Sequence, residues 1–548
     1  MKPRYCILDC YVDEPACFGV PPFLAPYARY IYGALVDGGA APESISYATI
    51  DTLRASGYRL HDRFDHVFMI GGAVVPGRYL GARIGTTDEK AAIARANPET
   101  PFALGGLAAR FMDANALRNL TVVTDDIELF AHGTARGEVR RGLRTTDEIA
   151  RWALAGADVV RQHPLFPDII CEIETYRGCP RQAHCSFCSE SVHGAVSFRD
   201  VGDILAEIER LIDAGVRRFR LGRQADILLY GSPLCDFASG FPRPDPSPVI
   251  ELFKTLRTMR ENDRIALLAV DNANPGTIAN FPEESGRILS AIAAAITPGD
   301  TLALGVESLD PAVIARNNLK VDAAVLLEVV RLVNDVCGHR VDGIPALLPG
   351  INLIHGLIGE TPDTFRINFE GLCEIRDRGL LLRRTNIRTL LPFPGTPAAA
   401  RRGAESTSVR NRYEHYRDRI RREIDHAMLQ RVYPAGTLIR DARVEESRDG
   451  YSYARQIASY PIAAKVPIAL EPGAAADLVV VGHQERSLVA LPLPVRINAL
   501  PATALSHLPG IGKRRASEIV LRRPFARPEE AADLIADVPP ALRAHIGV

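Results

Sequence analysis

Apolar residues fall in short unbroken runs over the first 160 positions, then alternate between extended and helical spacing as far as residue 400. The runs at 5–8, 67–70 and 121–124 read as parallel strands covered on both faces, which makes them apolar throughout. Gly71-Gly72 and Gly105-Gly106 sit beside such runs, as turn glycines or as a nucleotide loop. Beyond residue 165, Asp200 can cap a helix that places Val201, Ile204, Leu205, Ile208, Leu211 and Ile212 on one stripe, with Gly215 to end it. Strands follow at 216–221, 265–270, 302–306, 351–355 and 384–391, and a Pro-rich loop at 241–248 leads into a helix at 249–259. Alternating strands and helices predict parallel βαβ units with right-handed crossovers, and sites at the strands' carboxyl ends.

The texture then changes twice. Residues 401–431 form a charged helical connector, most simply a solvated face. Residues 432–496 read as short strands around an Asp449-Gly450 hairpin signal, with further strands at 478–481 and 487–491. Residues 497–548 read as a separate helical tail.

Composition narrows the class. A chain of 548 residues is too long for one core, and 47% apolar with 24% charged content describes a globular protein. A net charge of −1 provides no global field toward nucleic acid, so any such contact must be local. The ten cysteines, at 6, 10, 17, 171, 179, 185, 188, 235, 337 and 373, form no regular disulfide framework. The N-terminus lacks an apolar leader and no stretch approaches about 20 apolar residues, so the expectation is a cytoplasmic protein with no membrane partner.

The densest chemistry is Cys179, Cys185 and Cys188, three thiols within ten residues. Such thiolates can take three corners of an iron–sulfur cluster and leave one iron open to a ligand. Taken alone they also fit a structural zinc site completed by His184 or His193. Cys171 reads as a buried strand thiol, and Cys6, Cys10 and Cys17 as core thiols or an auxiliary cluster.

Cysteines on the loop after the first strand of an alternating βα domain, with Phe187 before the last of them, resemble the radical S-adenosylmethionine (SAM) superfamily. The spacing here is C-x5-C-x2-C, two residues longer in the first gap than the family's usual form. Gly305-Val-Glu-Ser308, Gly356-Leu-Ile-Gly-Glu-Thr361 and Pro392-Phe-Pro-Gly-Thr396 resemble the ends of its fourth, fifth and sixth strands. The resemblance covers residues 165–400 and implies a partial (β/α)6 TIM-type barrel and a [4Fe–4S] cluster on Cys179, Cys185 and Cys188. It also implies bound SAM, cleaved by one electron from a donor protein. Contacts to SAM are expected from Glu307, Ser308, Gly356, Ile358 and Gly359. The family's second-strand carboxylate is missing from Leu221-Gly-Arg-Gln224, leaving Gln224 or Asp226 as its substitute. Residues 1–160 resemble the Rossmann-like domain that precedes such barrels in cobalamin-dependent members and methylthiotransferases. Cobalamin is thus possible, but no Asp-x-His-x-x-Gly motif supports it. Two positions stay open: Asp271-Asn-Ala-Asn-Pro275 as catalytic or as an Asx turn, and Lys320 as a surface lysine or an anion contact.

Leu508-Pro-Gly-Ile-Gly-Lys-Arg-Arg515 resembles a helix-hairpin-helix motif. Gly510 and Gly512 would turn backbone N–H groups toward a phosphate, and Lys513, Arg514 and Arg515 would add charge; contact with a protein is the other use of such a motif. The 432–496 segment resembles a small TRAM-type β-barrel, where Tyr451, Tyr453 and Tyr460 beside Arg448 and Arg455 suggest base stacking or ordinary packing. The sequence therefore points to a radical SAM enzyme that modifies RNA, by tRNA methylation or methylthiolation-like chemistry, with RNA as partner. Its rivals are a radical enzyme acting on a protein or small molecule, and a non-catalytic nucleic-acid binder with a structural metal.

Overall fold

The computed structural model describes residues 2–14, 17–72, 82–113, 117–400 and 407–548; the Cys17 side chain and the start of the 401–431 connector lie outside the described residues. The chain divides into two compact units: Met1–Ala295 with Leu391–Arg402, and Ile296–Leu390 with Gly403–Val548. Among the described residues no helix is long and apolar enough to cross a membrane.

The first unit begins with a five-stranded parallel sheet: β1 (Tyr5–Asp9), β2 (Ile45–Thr49), β3 (His66–Ile70), β4 (Phe102–Gly105) and β5 (Leu120–Val122), in the order β2-β1-β3-β4-β5. This is the doubly wound order in which the chain reverses direction beside β1. The expected apolar runs are its central strands, and β1 is buried along its whole length. Cys6 and Cys10 are buried thiols here, both pushed up to about 12, chiefly by burial.

Helix α1 (Pro26–Asp37) packs on a helix at Thr146–Ala155. The approach is close because Gly33 faces the Trp152 carbonyl and Gly156 faces the Arg29 carbonyl; a Cβ at either position would overlap those atoms. The second sheet of this unit holds β6 (Ile170–Glu174), β7 (Arg218–Gly222) and β8 (Leu267–Val270), in the order β8-β7-β6 with a short parallel strand at Phe23–Leu24 on its edge. Helix α2 (Val201–Ala214) joins β6 to β7. Asp200 stands at its N-cap without a side-chain bond, and Gly215 closes it at φ +109°. Helix α3 (Pro246–Glu261) starts inside the expected Pro-rich loop, because Asp245 accepts from the Ser247 N–H and proline suits the first helical turn.

In the second unit, β9 (Asp300–Glu307), β10 (Leu347–His355) and β11 (Arg384–Thr389) form a parallel sheet in the order β9-β10-β11. The five strands expected from 216 to 391, and the one expected before the cysteine loop, thus occur, three in each unit. Helices α4 (Pro311–Asn317), α5 (Ala323–Cys337) and α6 (Pro362–Asp377) surround them, followed by α7 (Thr407–Ile420). Next comes a closed barrel of β12 (Leu438–Arg448), β13 (Tyr451–Gln456), β14 (Ala463–Val466), β15 (Ala475–His483) and β16 (Leu488–Pro492). Asp449 and Gly450 both take positive φ, the two-residue turn that joins β12 to β13. Leu478, Val480, Leu488 and Ala490 point into the barrel core. Their neighbours Val479, Val481, Val489 and Leu491 pack outward against Ile497, Leu505, Ile511 and Ile519 of the tail, so barrel and tail share one apolar cluster. The tail contains a short helix at Ala502–Leu505 and α8 (Lys513–Arg522).

Gly33→Ala should destabilise the first unit by about 3 kcal/mol, since its Cβ meets backbone that cannot move aside. Denaturant unfolding at constant m-value checks this, and a loss under 1 kcal/mol would mean the helices can separate.

Candidate functional site

The loop that carries the three cysteines leaves the end of β6, and the residues just before it are held by charge. Glu172 and Glu174 project from one face of β6 and are buried. Glu172 pairs with Arg220 of β7, which also pairs with Asp271 after β8, and the Phe18 N–H donates to it at 2.6 Å. Glu174 accepts both bonds of the Arg144 guanidinium, at 2.9 and 2.8 Å. Burial would raise the Glu174 carboxyl, yet Arg144, Arg223, Arg177 and Arg199 together hold it below the usual carboxylate range. Arg177 follows on the loop, bidentate on Asp126 at 2.8 and 2.7 Å.

The three thiols lie close enough for each to act on its neighbours' charge. Cys179 is pushed up to about 11, first by burial and then by Cys185 and Glu190, against an N–H bond and charge from Arg181. Cys188 is driven well above its ordinary value by burial, Cys185, Glu190 and Cys179, and its sulfur accepts the Glu190 N–H. The Arg181 guanidinium donates to Cys185 Sγ at 3.2 Å. Each sulfur therefore has a hydrogen-bond donor, of the kind that orients metal ligands. Among the described residues no three His, Cys, Asp or Glu side chains converge on one ion. In an iron–sulfur cluster, by contrast, each cysteine binds its own iron. The donor set fits such a cluster, with Cys179, Cys185 and Cys188 as its ligands. The two histidines considered for zinc face elsewhere: exposed His184 reaches the Cys179 carbonyl at 3.4 Å, and His193 Nε2 lies 2.9 Å from Arg223. Burial and then Arg223, Arg177, Arg144 and Arg110 hold His193 neutral, well below its ordinary pKa.

Gln224 and Asp226 stand at the end of β7, and their polar atoms are engaged. Gln224 accepts from Thr175 at 3.1 Å and donates to the Leu221 and Asp271 carbonyls at 3.1 and 2.7 Å. Asp226 accepts from the Leu228 N–H at 3.1 Å and from Thr277 at 2.6 Å. Glu190 differs. It is buried and paired with Arg223 at 3.2 Å, and its Oε2 has no hydrogen-bond partner among the described residues. Asn274 accepts from the Gly276 N–H at 3.0 Å, as an Asx cap, and Asp271 pairs with Arg220, so both have structural work in 271–275.

In the second unit a bulge at the end of β9 leaves Glu307 at φ +70°, a position rarely taken by a residue with a side chain. Glu307 is buried and its Oε2 has no hydrogen-bond partner among the described residues. Burial raises its carboxyl, opposed by Lys320 and Arg388. Lys320 is no surface lysine: its side chain is 11% exposed, 3.7 Å from Glu307, and it donates to the Gly305 carbonyl at 2.8 Å. Hydrogen bonds join the ends of β9 and β10 into one rim. Ser308 and the Leu309 N–H bond Asn368, at 3.3 and 2.7 Å, and Thr364 donates to Asp310 at 2.5 Å. Asn317 holds Ile358 by both backbone groups, at 2.7 and 3.2 Å, and Glu360 accepts from the Gly356 N–H at 3.0 Å. Glu307, Ser308, Gly356, Ile358 and Gly359 thus belong to one ordered edge. Arg181, Arg223 and Glu190 were not legible as site residues, and Lys320 was open between a surface lysine and an anion contact. Only Glu190, two positions after Cys188, carried a signal in its spacing.

In the tail, Gly510 has φ +85° and a Cβ there would strike the Asp537 carbonyl. Gly512 is the N-cap of α8, and no side chain caps that helix. Lys513 and Arg514 are exposed, whereas Arg515 pairs with Asp537 and Arg522 with Asp533. On the barrel, Tyr451 lies under Lys465 at 3.7 Å and Tyr453 under Arg448 at 4.9 Å.

The model of the Radical SAM superfamily matches residues 173–367. An uncharacterized protein of Archaeoglobus fulgidus is 38% identical over 531 residues, covering 96% of each chain. A second, from Methanocaldococcus jannaschii, is 38% identical over 512 residues, covering 88% of this chain and 92% of its own. Among solved structures, the radical SAM methyltransferase TsrM of Kitasatospora setae, with cobalamin and a [4Fe–4S] cluster bound, is 14% identical with a TM-score of 0.48, covering 73% of this chain and 74% of its own. The cobalamin-dependent SAM radical enzyme OxsB is 12% identical with a TM-score of 0.45, covering 76% and 55%.

Arg144→Met should cost about 3–5 kcal/mol at neutral pH, because buried Glu174 loses its two hydrogen bonds from the guanidinium and buried Glu128 loses its nearest cation. Arg144→Met with Glu174→Leu should recover part of the loss. Equal losses in the single and double variants, measured by denaturant unfolding, would show that Glu174 does not need Arg144.

Proposed function

This chain belongs to the radical SAM superfamily, and from that we propose an enzyme that binds its cluster at Cys179, Cys185 and Cys188 and modifies RNA. The observation that carries the cluster reading is three thiols on one loop, each with a hydrogen-bond donor on its sulfur. When bound, the [4Fe–4S] cluster and SAM supply one-electron cleavage of a sulfonium to a 5′-deoxyadenosyl radical, with the electron coming from a donor protein.

The chain's own residues bind and orient. Recognition of an amino-acid ammonium calls for a carboxylate oxygen that the fold has not used. Gln224 and Asp226 are engaged, so this reading gives such a role to Glu190 Oε2 in the first unit and, separately, to Glu307 Oε2 in the second. Ser308 and the turn through Gly356, Ile358 and Gly359 form the rim that would hold the rest of SAM. Burial of Cys185 in the first unit and of Glu307 in the second keeps water from each of these positions. Glu307→Gln and Glu190→Gln should each weaken SAM binding about tenfold, the size of one lost charged hydrogen bond, while iron content stays whole. Equilibrium dialysis of the reconstituted protein measures this, and unchanged affinity in both variants rules out the carboxylate assignment.

What supports RNA is the turn before α8, with Gly510 and Gly512, an uncapped helix start and the exposed Lys513 and Arg514. A second reading, a small-molecule or protein substrate with the tail as a structural cap, is favoured by the internal pairs of Arg515 and Arg522 and by the core that tail and barrel share. Deleting the tail would expose that core, so point variants are the test. Lys513→Ala with Arg514→Ala should weaken binding to total cellular RNA and lower its log–log salt slope by about 1–2, with iron content unchanged. Incubation with RNA, SAM and reductant should yield a modified nucleoside by mass. RNA affinity that ignores both substitutions, with no nucleoside change, favours the second reading.

A further inference from the structure

The gap between Cys179 and Cys185 is two residues longer than the family's usual form, and its length is used. The intervening loop folds back so that Arg181 serves two of the three sulfurs: its N–H bonds Cys179, and its guanidinium donates to Cys185 Sγ at 3.2 Å. Two contacts from a small hairpin at Phe237–Ala238 and Phe241–Pro242 hold it there. The Gln182 N–H donates to the Gly240 carbonyl at 3.1 Å, and the Arg181 guanidinium lies over the Phe241 ring at 4.7 Å. Arg181 is buried, so solvent screens its charge weakly. Glu190, which acts in the opposite sense on Cys179 and Cys188, is itself paired with Arg223.

Resting on the cluster reading above, we propose that Arg181 is a redox-positioning residue that raises the reduction potential of the cluster held by Cys179, Cys185 and Cys188. One electron from a low-potential donor adds one negative charge to the cluster, and no bond or proton need move. A cation fixed 3.2 Å from a ligand sulfur stabilises the more negative, reduced state more than the oxidised one. Hydrogen bonds to ligand sulfurs act in the same direction. The longer gap therefore lets the cluster accept its electron from a milder donor than it would need without Arg181.

The test is an EPR-monitored redox titration of the reconstituted full-length protein with dithionite or Ti(III) citrate. Arg181→Gln should lower the reduced-to-oxidised ratio at a fixed potential at least tenfold, which is about 59 mV for a one-electron couple. Arg181→Lys, which keeps charge without the planar fork, should fall between that variant and wild type. Phe241→Leu removes the surface that holds the guanidinium, leaves the loop's own residues intact, and should shift the midpoint the same way by less. A wild-type midpoint in Arg181→Gln at full iron loading overturns the inference. If Arg181→Gln loads poorly, an unchanged midpoint in Phe241→Leu overturns it instead. If wild type takes up no cluster, the underlying reading fails and this inference with it; if only the shift is missing, the family chemistry stands and the role of Arg181 falls.

Discussion

Two carboxylates on one five-residue strand set the terms for the first unit. Glu172 and Glu174 both enter the interior from β6, where an unpaired charge is prohibitive. Their countercharges come from separate parts of the chain: Arg220 from β7, Arg144 from the segment before β6, and Arg199, which donates to the Glu174 carbonyl at 2.9 Å. Arg29 of α1 reaches the Glu172 carbonyl at 2.6 Å and shares Glu207 with Arg199. Such pairs contribute little net stability compared with apolar packing, because desolvation offsets most of the attraction. Their effect is on registry. With any partner displaced a charge is stranded, so few arrangements of α1, α2, β6 and β7 are tolerated.

That registry reaches the chemistry directly. Thr175, Tyr176 and Arg177 continue β6 into the cysteine loop, and each is tied down: Thr175 to Gln224, the Tyr176 hydroxyl to both backbone groups of Asp226, and Arg177 to Asp126. The loop therefore leaves a fixed strand end, with its sulfurs presented to donors already in place. In the second unit the equivalent restraint is backbone strain. The positive φ at Glu307 persists because the bulge and the Ser308–Asn368 and Asp310–Thr364 bonds leave no easier path.

Periodicity made the strands legible because burial on both faces leaves an apolar run. The unbroken stretch at 478–481 is the clearest case: Leu478 and Val480 fill the barrel, and Val479 and Val481 meet the tail. The same stretch held evidence that the tail is not independent, since a barrel strand with a solvated outer face would alternate. The cysteine cluster was legible because spacing along the chain becomes proximity when ligands share one loop. Arg144 and Arg223 were not, because their partners lie far away in sequence and an arginine's local pattern is the same on a surface as in a core. Glu172 and Glu174 sit in an otherwise apolar strand, and that mismatch was the available sign of a buried charge network.

What remains after the fold has satisfied its own polar groups is the part that can meet a ligand. Gln224, Asp226, Asp271, Arg515 and Arg522 bear groups suited to binding, yet each has a structural partner. Glu190 and Glu307 each keep one buried oxygen without a hydrogen-bond partner among the described residues, and Lys513 and Arg514 keep exposed charges beside an uncapped helix start. A buried acceptor left unmade costs about 1–3 kcal/mol, which a chain shaped only for stability would remove by a single substitution. Glu190 follows the cysteine loop in the first unit, and Glu307 ends β9 in the second. Glu128 keeps such an oxygen too, 3.8 Å from Arg144, so an unmade bond marks a binding candidate only where the sequence already points, as it does just after Cys188 and at the end of β9.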